Sequence, residues 1–159
     1  MKIRPAAPED AAAIAGIWNG MIRDTLSTFT TVEKSTVEIG HLIAERQGAF
    51  FVAENAASCS GFVTFGRFRG GPGYAATVEH TVIVDPEAIG RGLGRRLLEA
   101  AEDAARDQDK HVMVAAISGT NTQAQAFHAR MGYKEVARMH EVGRKAGQWL
   151  DLVLMQKIL

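Results

Sequence analysis

The stretch from Thr77 to Arg96 constrains this chain more than any other. Val78-Glu79-His80-Thr81-Val82-Ile83-Val84 is a β-branched run that reads as a strand. Asp85-Pro86-Glu87 ends it, and Ile89-Gly90-Arg91-Gly92-Leu93-Gly94-Arg95 is a glycine-rich turn. An amphipathic helix follows to about Asp107, with Leu93, Leu97, Leu98, Ala101 and Ala105 on one face. A strand that turns directly into a helix leaves free backbone N–H groups at the helix N-terminus, where the dipole favours an anion. Gly90, Gly92 and Gly94 permit positive φ and close approach of a ligand to the backbone. With Arg91, Arg95 and Arg96 beside them, the turn reads as a pyrophosphate site. Glu79 and His80 lie on the strand that feeds it, so an ionisable pair and an anion cradle share one unit.

Two familiar phosphate motifs do not fit. A Walker loop ends in Gly-Lys-Ser/Thr, whereas Gly94 is followed by Arg95 and Arg96. A dinucleotide fingerprint runs Gly-x-Gly-x-x-Gly, whereas the spacing here is Gly-x-Gly-x-Gly. That motif also needs an acidic residue at the end of the next strand, and Asp107 and Asp109 fall before it. The plain alternative is a glycine-rich turn that binds nothing; the three arginines favour the anion site.

The chain has 159 residues, one domain by length, with 18 basic and 18 acidic side chains and no formal net charge. Neither nucleic acid nor an anionic membrane is expected as a partner. The single cysteine, Cys59, permits no intrachain disulfide and reads as a packing residue in a reducing compartment. No apolar run is long enough to span a membrane, and Met1-Lys2-Ile3-Arg4-Pro5 lacks the apolar core of a signal peptide. A cytoplasmic protein is expected. No His/Cys cluster has metal-ligand spacing, so no metal is expected.

In chain order, Lys2 to Ala6 reads as an edge strand limited by Pro5. Pro8-Glu9-Asp10 opens a helix carried by Ile14, Ile17, Trp18, Met21 and Ile22 to Asp24. Ser27-Thr28-Phe29-Thr30-Thr31 breaks it. Ser35 with Glu38 makes a capping box for a second helix to about Arg46. Residues 49–54 and 61–66 pair as a hairpin around a turn at 55–60. Residues 67–74 form a glycine-rich loop. After the strand–turn–helix unit, 111–117 is a wholly apolar strand of the kind buried on both faces. A helix over 122–131 has Ala126, Phe127 and Met131 inward and ends at Gly132. Two last strands, 133–142 and 149–158, flank a turn at 143–147. Strands 77–84 and 111–117 should be parallel through a right-handed crossover. The expected fold is α/β, a mixed central sheet with helices on both faces.

These motifs resemble the GNAT family of N-acetyltransferases over nearly the whole chain. The family's acetyl-CoA signature, Gln/Arg-x-x-Gly-x-Gly/Ala, falls on Ile89 to Gly94, with Ile89 in the Gln/Arg position. Asn121 and Ala126-Phe127-His128-Ala129-Arg130-Met131-Gly132-Tyr133 resemble the family's final helix and its end. Ile17-Trp18-Asn19, Ser27-Thr28-Phe29, Pro72-Gly73-Tyr74, Thr77-Val78-Glu79-His80 and Gly147-Gln148-Trp149-Leu150-Asp151 are similar to the phosphinothricin and methionine sulfoximine acetyltransferases. Met21-Ile22 departs from that group, which often has an aromatic or His there. The resemblance implies a GNAT sheet of six to seven strands and acetyl-CoA as donor. It also implies a small amino-acid-like amine as acceptor, direct attack in a ternary complex, and a homodimer. The donor's pantetheine would lie between strands 77–84 and 111–117, along Val82, Ile83 and Val84, with its pyrophosphate on Gly90, Arg91, Gly92, Leu93, Gly94 and Arg95.

Individual residues then take roles beside plainer ones. An α-amino group has a pKa near 8 and must lose a proton before it attacks. Glu79 is expected to take that proton, directly or through water; the alternative is an ion pair with an arginine. Glu79 and His80 point to opposite faces of a strand, so His80 is expected to pack or hydrogen-bond behind the site. His128 stands where many relatives carry a Tyr near the leaving thiol, and imidazole can serve as donor or acid there. Asn121 either bonds the pantetheine amide or caps the following helix, or does both. The resemblance makes Phe29, Tyr74 and Trp149 substrate-pocket walls. Arg67 and Arg69 could pair with a substrate carboxylate. Two rivals remain: an enzyme that acetylates a protein N-terminus or lysine, and a non-catalytic acyl-CoA-binding module.

Overall fold

Each apolar stretch becomes one element, and the breaks fall at Pro, Gly and capping residues. A computed structural model describes residues 1–56 and 58–159. In chain order these form β1 (Lys2–Pro5), α1 (Ala11–Asp24), α2 (Thr36–Glu45), β2 (Phe50–Asn55), β3 (Ser58–Arg67), β4 (Thr77–Val84), α3 (Leu93–Asp107), β5 (Val112–Ser118), α4 (Thr122–Arg130), β6 (Lys134–Lys145) and β7 (Gln148–Ile158). Ala57, inside the turn expected over 55–60, lies outside the described residues. The capping box of α2 forms: Ser35 Oγ accepts from the Glu38 amide at 3.1 Å, and Glu38 Oε2 accepts from the Ser35 amide at 2.7 Å. Among the described residues no helix is long and apolar enough to cross a membrane.

The seven strands make one sheet in the order β1-β2-β3-β4-β5-β7-β6. β4 and β5 are parallel; the other neighbours are antiparallel. Helices cover both faces. Leu93, Leu97, Leu98, Ala101 and Ala105 of α3 pack on Val63, Phe65, Val78, Met113 and Ala115. Ile14 of α1 and Ile39 and Ile43 of α2 pack on Phe50, Val52, Phe62 and Ile83 from the other side. Burying one such Leu or Ile contributes about 1.5–3 kcal/mol. Period-2 alternation along β4 therefore sends Val78 and His80 toward α3 and α4, and sends Glu79, Thr81 and Ile83 toward α1 and α2.

The sheet is split. β4 follows β3 from Arg67↔Val78 to Gly61↔Val84, and β5 follows β7 from Val112↔Ile158 to Ser118↔Leu152. Between β4 and β5, register holds only at Thr77↔Val112, Val78↔Met113 and Glu79↔Val114. Beyond Glu79 the two strands diverge and leave a wedge with unpaired backbone on both inner edges.

Two local expectations are corrected. Ala126 of α4 is exposed and His128 is the buried residue of that helix, because the helix turns its His128 side to the sheet. The last turn is short: Gly143, Arg144 and Lys145 belong to β6, and the chain reverses at Ala146 (φ 51°) and Gly147 (φ 73°). Gly143 is therefore no turn glycine. It lies under Phe29, whose ring would overlap a Cβ there. A few residues along the same hairpin, Asp151 of β7 accepts from the Glu141 amide at 2.9 Å and holds a bulge in β6.

Lys145 is the other consequence of the longer strand. Its side chain is buried, and Nζ donates to the carbonyls of Ile22, Thr25 and Thr28 at 2.8 Å each. These are the open C-terminal carbonyls of α1 and the loop after it, which no later helical turn satisfies. The ammonium thus ties β6 to the loop that carries Phe29. Lys145→Met removes the only donor in these bonds and should lower stability by about 2–3 kcal/mol. Urea unfolding checks this, and an unchanged midpoint would show that water replaces the ammonium without loss.

Candidate active site

The wedge between β4 and β5 holds a cavity of about 280 Å³. His80, Thr81, Val82 and Ile83 form one wall; Ala115, Ala116, Ile117 and Ser118 form the other. Trp18, Met21, Ser27, Thr28 and Phe29 cover it. Two polar contacts fix this cover. Asn19 exchanges hydrogen bonds with the backbone of Lys34, both at 2.8 Å, and Asn121 Nδ2 donates to Ser27 Oγ at 3.2 Å.

A second cavity of about 760 Å³ continues from the wedge to the N-terminus of α3. Val82, Ile83, Asn121 and His128 line both. Its far wall is the glycine turn, with Gly90 at φ 85° and Gly92 at φ 74° as the helix N-cap. Gly92 supplies no side-chain cap, and among the described residues the amides of Leu93, Gly94 and Arg95 have no backbone acceptor. Free amides at a helix N-terminus can hold an anion. Gly94 serves packing: a Cβ there would stand 3.4 Å from the Phe127 ring of α4. The site fits an extended thioester with a pyrophosphate: a slot with free backbone edges leads to a ring of free amides. The arginines divide. Arg95 lines the cavity and is held by Glu99 at 2.8 Å; Arg91 is exposed and lines neither cavity; Arg96 bonds the Met1 carbonyl at 3.4 Å. Ile89, 66 % exposed, lends an apolar edge.

At the junction of the two cavities lies a histidine pair. His80 and His128 are 7 % and 4 % exposed, and their Nε2 atoms are 2.9 Å apart. His128 Nδ1 is 2.8 Å from the Ala124 carbonyl, which can only accept, so Nδ1 carries a hydrogen. In a neutral pair His128 Nε2 is then bare, and His80 Nε2–H donates to it. His80 Nδ1 is left bare, buried and without a partner. Burial, then His128, pushes the His80 pKa down to about 3, while the Val114 backbone acts weakly the other way. Burial also lowers His128, against the Ala124 carbonyl and Glu102. Tyr133 packs edge-on against both rings and donates to the buried Glu102 at 3.1 Å. Lys157 meets the same carboxylate at 2.7 Å.

Glu79 stands at the apex of the wedge, in the last β4–β5 pair, on the α1/α2 face with Thr81. It is half-buried; burial raises its pKa, and the Arg46 guanidinium opposes that rise. Asn121 caps α4, its Oδ1 accepting from the Ala124 amide at 3.1 Å, and also lines both cavities. Arg67 and Arg69 lie apart, on a third cavity of about 820 Å³ at the other end of β4, with Arg46 and Lys110. Tyr74 is exposed under the Arg69 guanidinium, 5.5 Å from its ring centre. Trp149 is 60 % exposed and stacked by Arg144 at 4.3 Å, and lines none of the three cavities described above. Thr81, Ser27, Trp18 and Lys145 were not legible as site residues. Their placement depends on where the sheet splits and on which strand reaches across.

The comparisons with known proteins agree with this geometry. The model of the Acetyltransferase (GNAT) family matches residues 18–133. The L-amino acid N-acyltransferase MnaT of Escherichia coli is 40% identical over 98% of this chain and 92% of its own. The L-methionine sulfoximine/L-methionine sulfone acetyltransferase of Salmonella typhimurium is 37% identical over 98% and 93%. Among solved structures, yncA of Salmonella typhimurium with acetyl-CoA superposes with TM-score 0.96 at 38% identity, covering 100% and 94% of the two chains. A ribosomal-protein-alanine N-acetyltransferase of Brucella melitensis also gives 0.96, at 33% identity and 100% of both chains. The chain belongs to the GNAT acetyltransferase family. It is an acetyl-CoA-dependent N-acyltransferase.

The buried pair makes stability depend on acid. The unfolded chain takes up a proton on His80 below about pH 6.5, and the folded chain does not until about pH 3. Stability is therefore full above 6.5 and falls as pH drops toward 3. His80 alone should remove about 2 kcal/mol between pH 6.5 and 5. Urea midpoints measured across that range should fall in the wild type and fall less in His80→Gln; identical slopes would mean that His80 titrates normally.

Proposed function

We propose that this enzyme acetylates the primary amine of a small amino-acid-like substrate of the methionine sulfoximine, methionine sulfone or phosphinothricin type, by direct attack in a ternary complex. The observation that carries the proposal is the covered wedge cavity, about 280 Å³, with Phe29 in its roof and Thr81 in its wall; Glu79 stands one pleat before Thr81 on the same face, in the last β4–β5 pair, and lines none of the three cavities described. Acetyl-CoA supplies the activated acetyl group. The free edge of β4 at Val82 to Val84 pairs with its pantetheine amides, as does Asn121, and the cradle from Gly90 to Arg95 takes its pyrophosphate. A backbone N–H on that edge steadies the acetyl oxygen. Glu79 removes the proton from the acceptor's ammonium, directly or through one water. His128 faces the leaving thiol. In the neutral pair its Nδ1–H goes to the Ala124 carbonyl and its Nε2 is bare, so it donates to that sulfur only once Nε2 has taken up a proton in place of the His80 hydrogen bond. Phe29 flanks the acceptor, while Arg67, Arg69 and Tyr74, set apart at the other end of β4, take no part in this reading.

The Brucella likeness favours a second reading, a peptide N-terminus as acceptor; the roof of Trp18, Met21 and Phe29 leaves little room for one. Thiol release with methionine sulfoximine, its sulfone and phosphinothricin, beside a panel of peptides, decides between them. The small amines should be turned over, and Glu79→Gln should cut turnover about 10²-fold or more at pH 7, with partial recovery at alkaline pH. Turnover of peptides alone would remove the small-molecule proposal, and CoA binding without any turnover would leave a binding module.

We further propose a cytoplasmic homodimer. Val136, Met139, Val142 and Trp149 are all more than two-fifths exposed on the β6–β7 hairpin, apolar area that a partner would cover. Trp149 then walls a pocket only in the dimer. Light scattering should give twice the chain mass, and Trp149→Glu should reduce it; a wild-type monomer at micromolar concentration would rule the dimer out.

A further inference from the structure

Gly66 lies directly opposite Glu79 in the β3–β4 register. Side chains so paired share a face and stand about 5 Å apart. Position 66 has no side chain, and its seat is taken by Arg46 from the end of α2. A Cβ built on Gly66 would lie 2.8 Å from Arg46 Nη2, 2.9 Å from Cζ and 3.1 Å from Nε. Nη1 donates to the buried Thr64 Oγ1 at 3.3 Å, on the same face. The guanidinium is thus inserted into the β3–β4 surface from another element, facing the carboxylate. The two do not form a contact ion pair. Among the described charged groups, Arg46 is the one that acts on Glu79; Thr81 on its own strand and Val114 from β5 are uncharged.

We propose that Arg46 is a positioning residue for the base: seated over Gly66, its guanidinium keeps the half-buried Glu79 carboxylate ionised and able to take the acceptor's proton. This rests on the reading of Glu79 as base. Burial alone would push Glu79 toward the neutral acid, which cannot accept a proton, and Arg46 offsets it. The separation matters as much as the charge. A contact salt bridge would stabilise the carboxylate so far that it became a weak base, whereas a neighbour at cross-strand distance leaves its proton affinity closer to that of the amine. The same logic explains Gly66, since any side chain there would displace the guanidinium.

The test is the pH dependence of acetyl transfer in Arg46→Leu, Arg46→Lys and Gly66→Ala, with the Glu79 carboxyl titrated by ¹³C NMR in the same proteins. Arg46→Leu should move the acid limb up by about one pH unit, which lowers kcat/KM for the acceptor up to about fivefold at pH 7 and about tenfold on the acid limb, with recovery at alkaline pH. The KM for acetyl-CoA should stay unchanged, and Arg46→Lys should restore part of the loss. In Gly66→Ala the new Cβ meets only the flexible end of Arg46, so the fold persists and the limb should move the same way. This variant decides the matter if Arg46→Leu does not fold. A profile that superimposes on the wild type, or falls equally at every pH, overturns the proposal. The NMR titration separates the two ideas. An unshifted Glu79 carboxyl in Arg46→Leu defeats the role of Arg46, whereas full activity of Glu79→Gln defeats the base and leaves the electrostatic coupling intact.

Discussion

The divergence of two parallel strands is the constraint on which the rest of the structure depends. β4 is hydrogen-bonded along its whole length to β3, and β5 to β7, so each strand follows its outer neighbour. The two halves of the sheet meet only at 77–79 and 112–114. Everything chemical gathers where they part. A closed sheet would satisfy those backbone edges internally; a split one offers them to an extended ligand. The helix that starts beside the split aims its own free amides into the same gap. The groups that line this gap toward α3 are chiefly backbone, with Ile89 lending an apolar edge.

Charge within the protein is arranged to match. On the α3/α4 face, His80 and His128 are desolvated and neutral, and Glu102 is compensated by Lys157 and Tyr133. On the α1/α2 face, one carboxylate and one guanidinium sit half-buried without touching. Strand alternation enforces this separation. Adjacent residues 79 and 80 lie on opposite faces, so a carboxyl beside a guanidinium and a desolvated imidazole coexist one residue apart.

Much of this was legible in the sequence. The bounds of β4 followed from its β-branched run and Pro86, the α2 cap from Ser35 and Glu38, and the anion cradle from three glycines before an amphipathic helix. That Glu79 and His80 take opposite faces followed from alternation alone, whereas His80 lines the wedge instead of lying behind it. What was hidden depends on distant chain segments. Lys145 looked like a turn residue because lysine beside glycines usually is one, yet its ammonium meets carbonyls more than a hundred residues away in sequence. Arg46 looked like a helix end, and Gly66 like a strand end. Their relation appears only when α2 crosses the hairpin. Arg67, Arg69 and Arg91 read as site residues by composition, but lie outside the wedge because local sequence does not fix which way a surface arginine extends.

The anchoring of the Phe29 loop has a mechanical meaning. Lys145 joins it to β6, Gly143 seats its aromatic ring, Asn121 holds Ser27 from α4, and Asn19 closes its far end. The roof of the wedge is thus a rigid extension of the sheet's outer edge, with no hinge of its own. The space beneath it runs on without a break past the split to the N-terminus of α3.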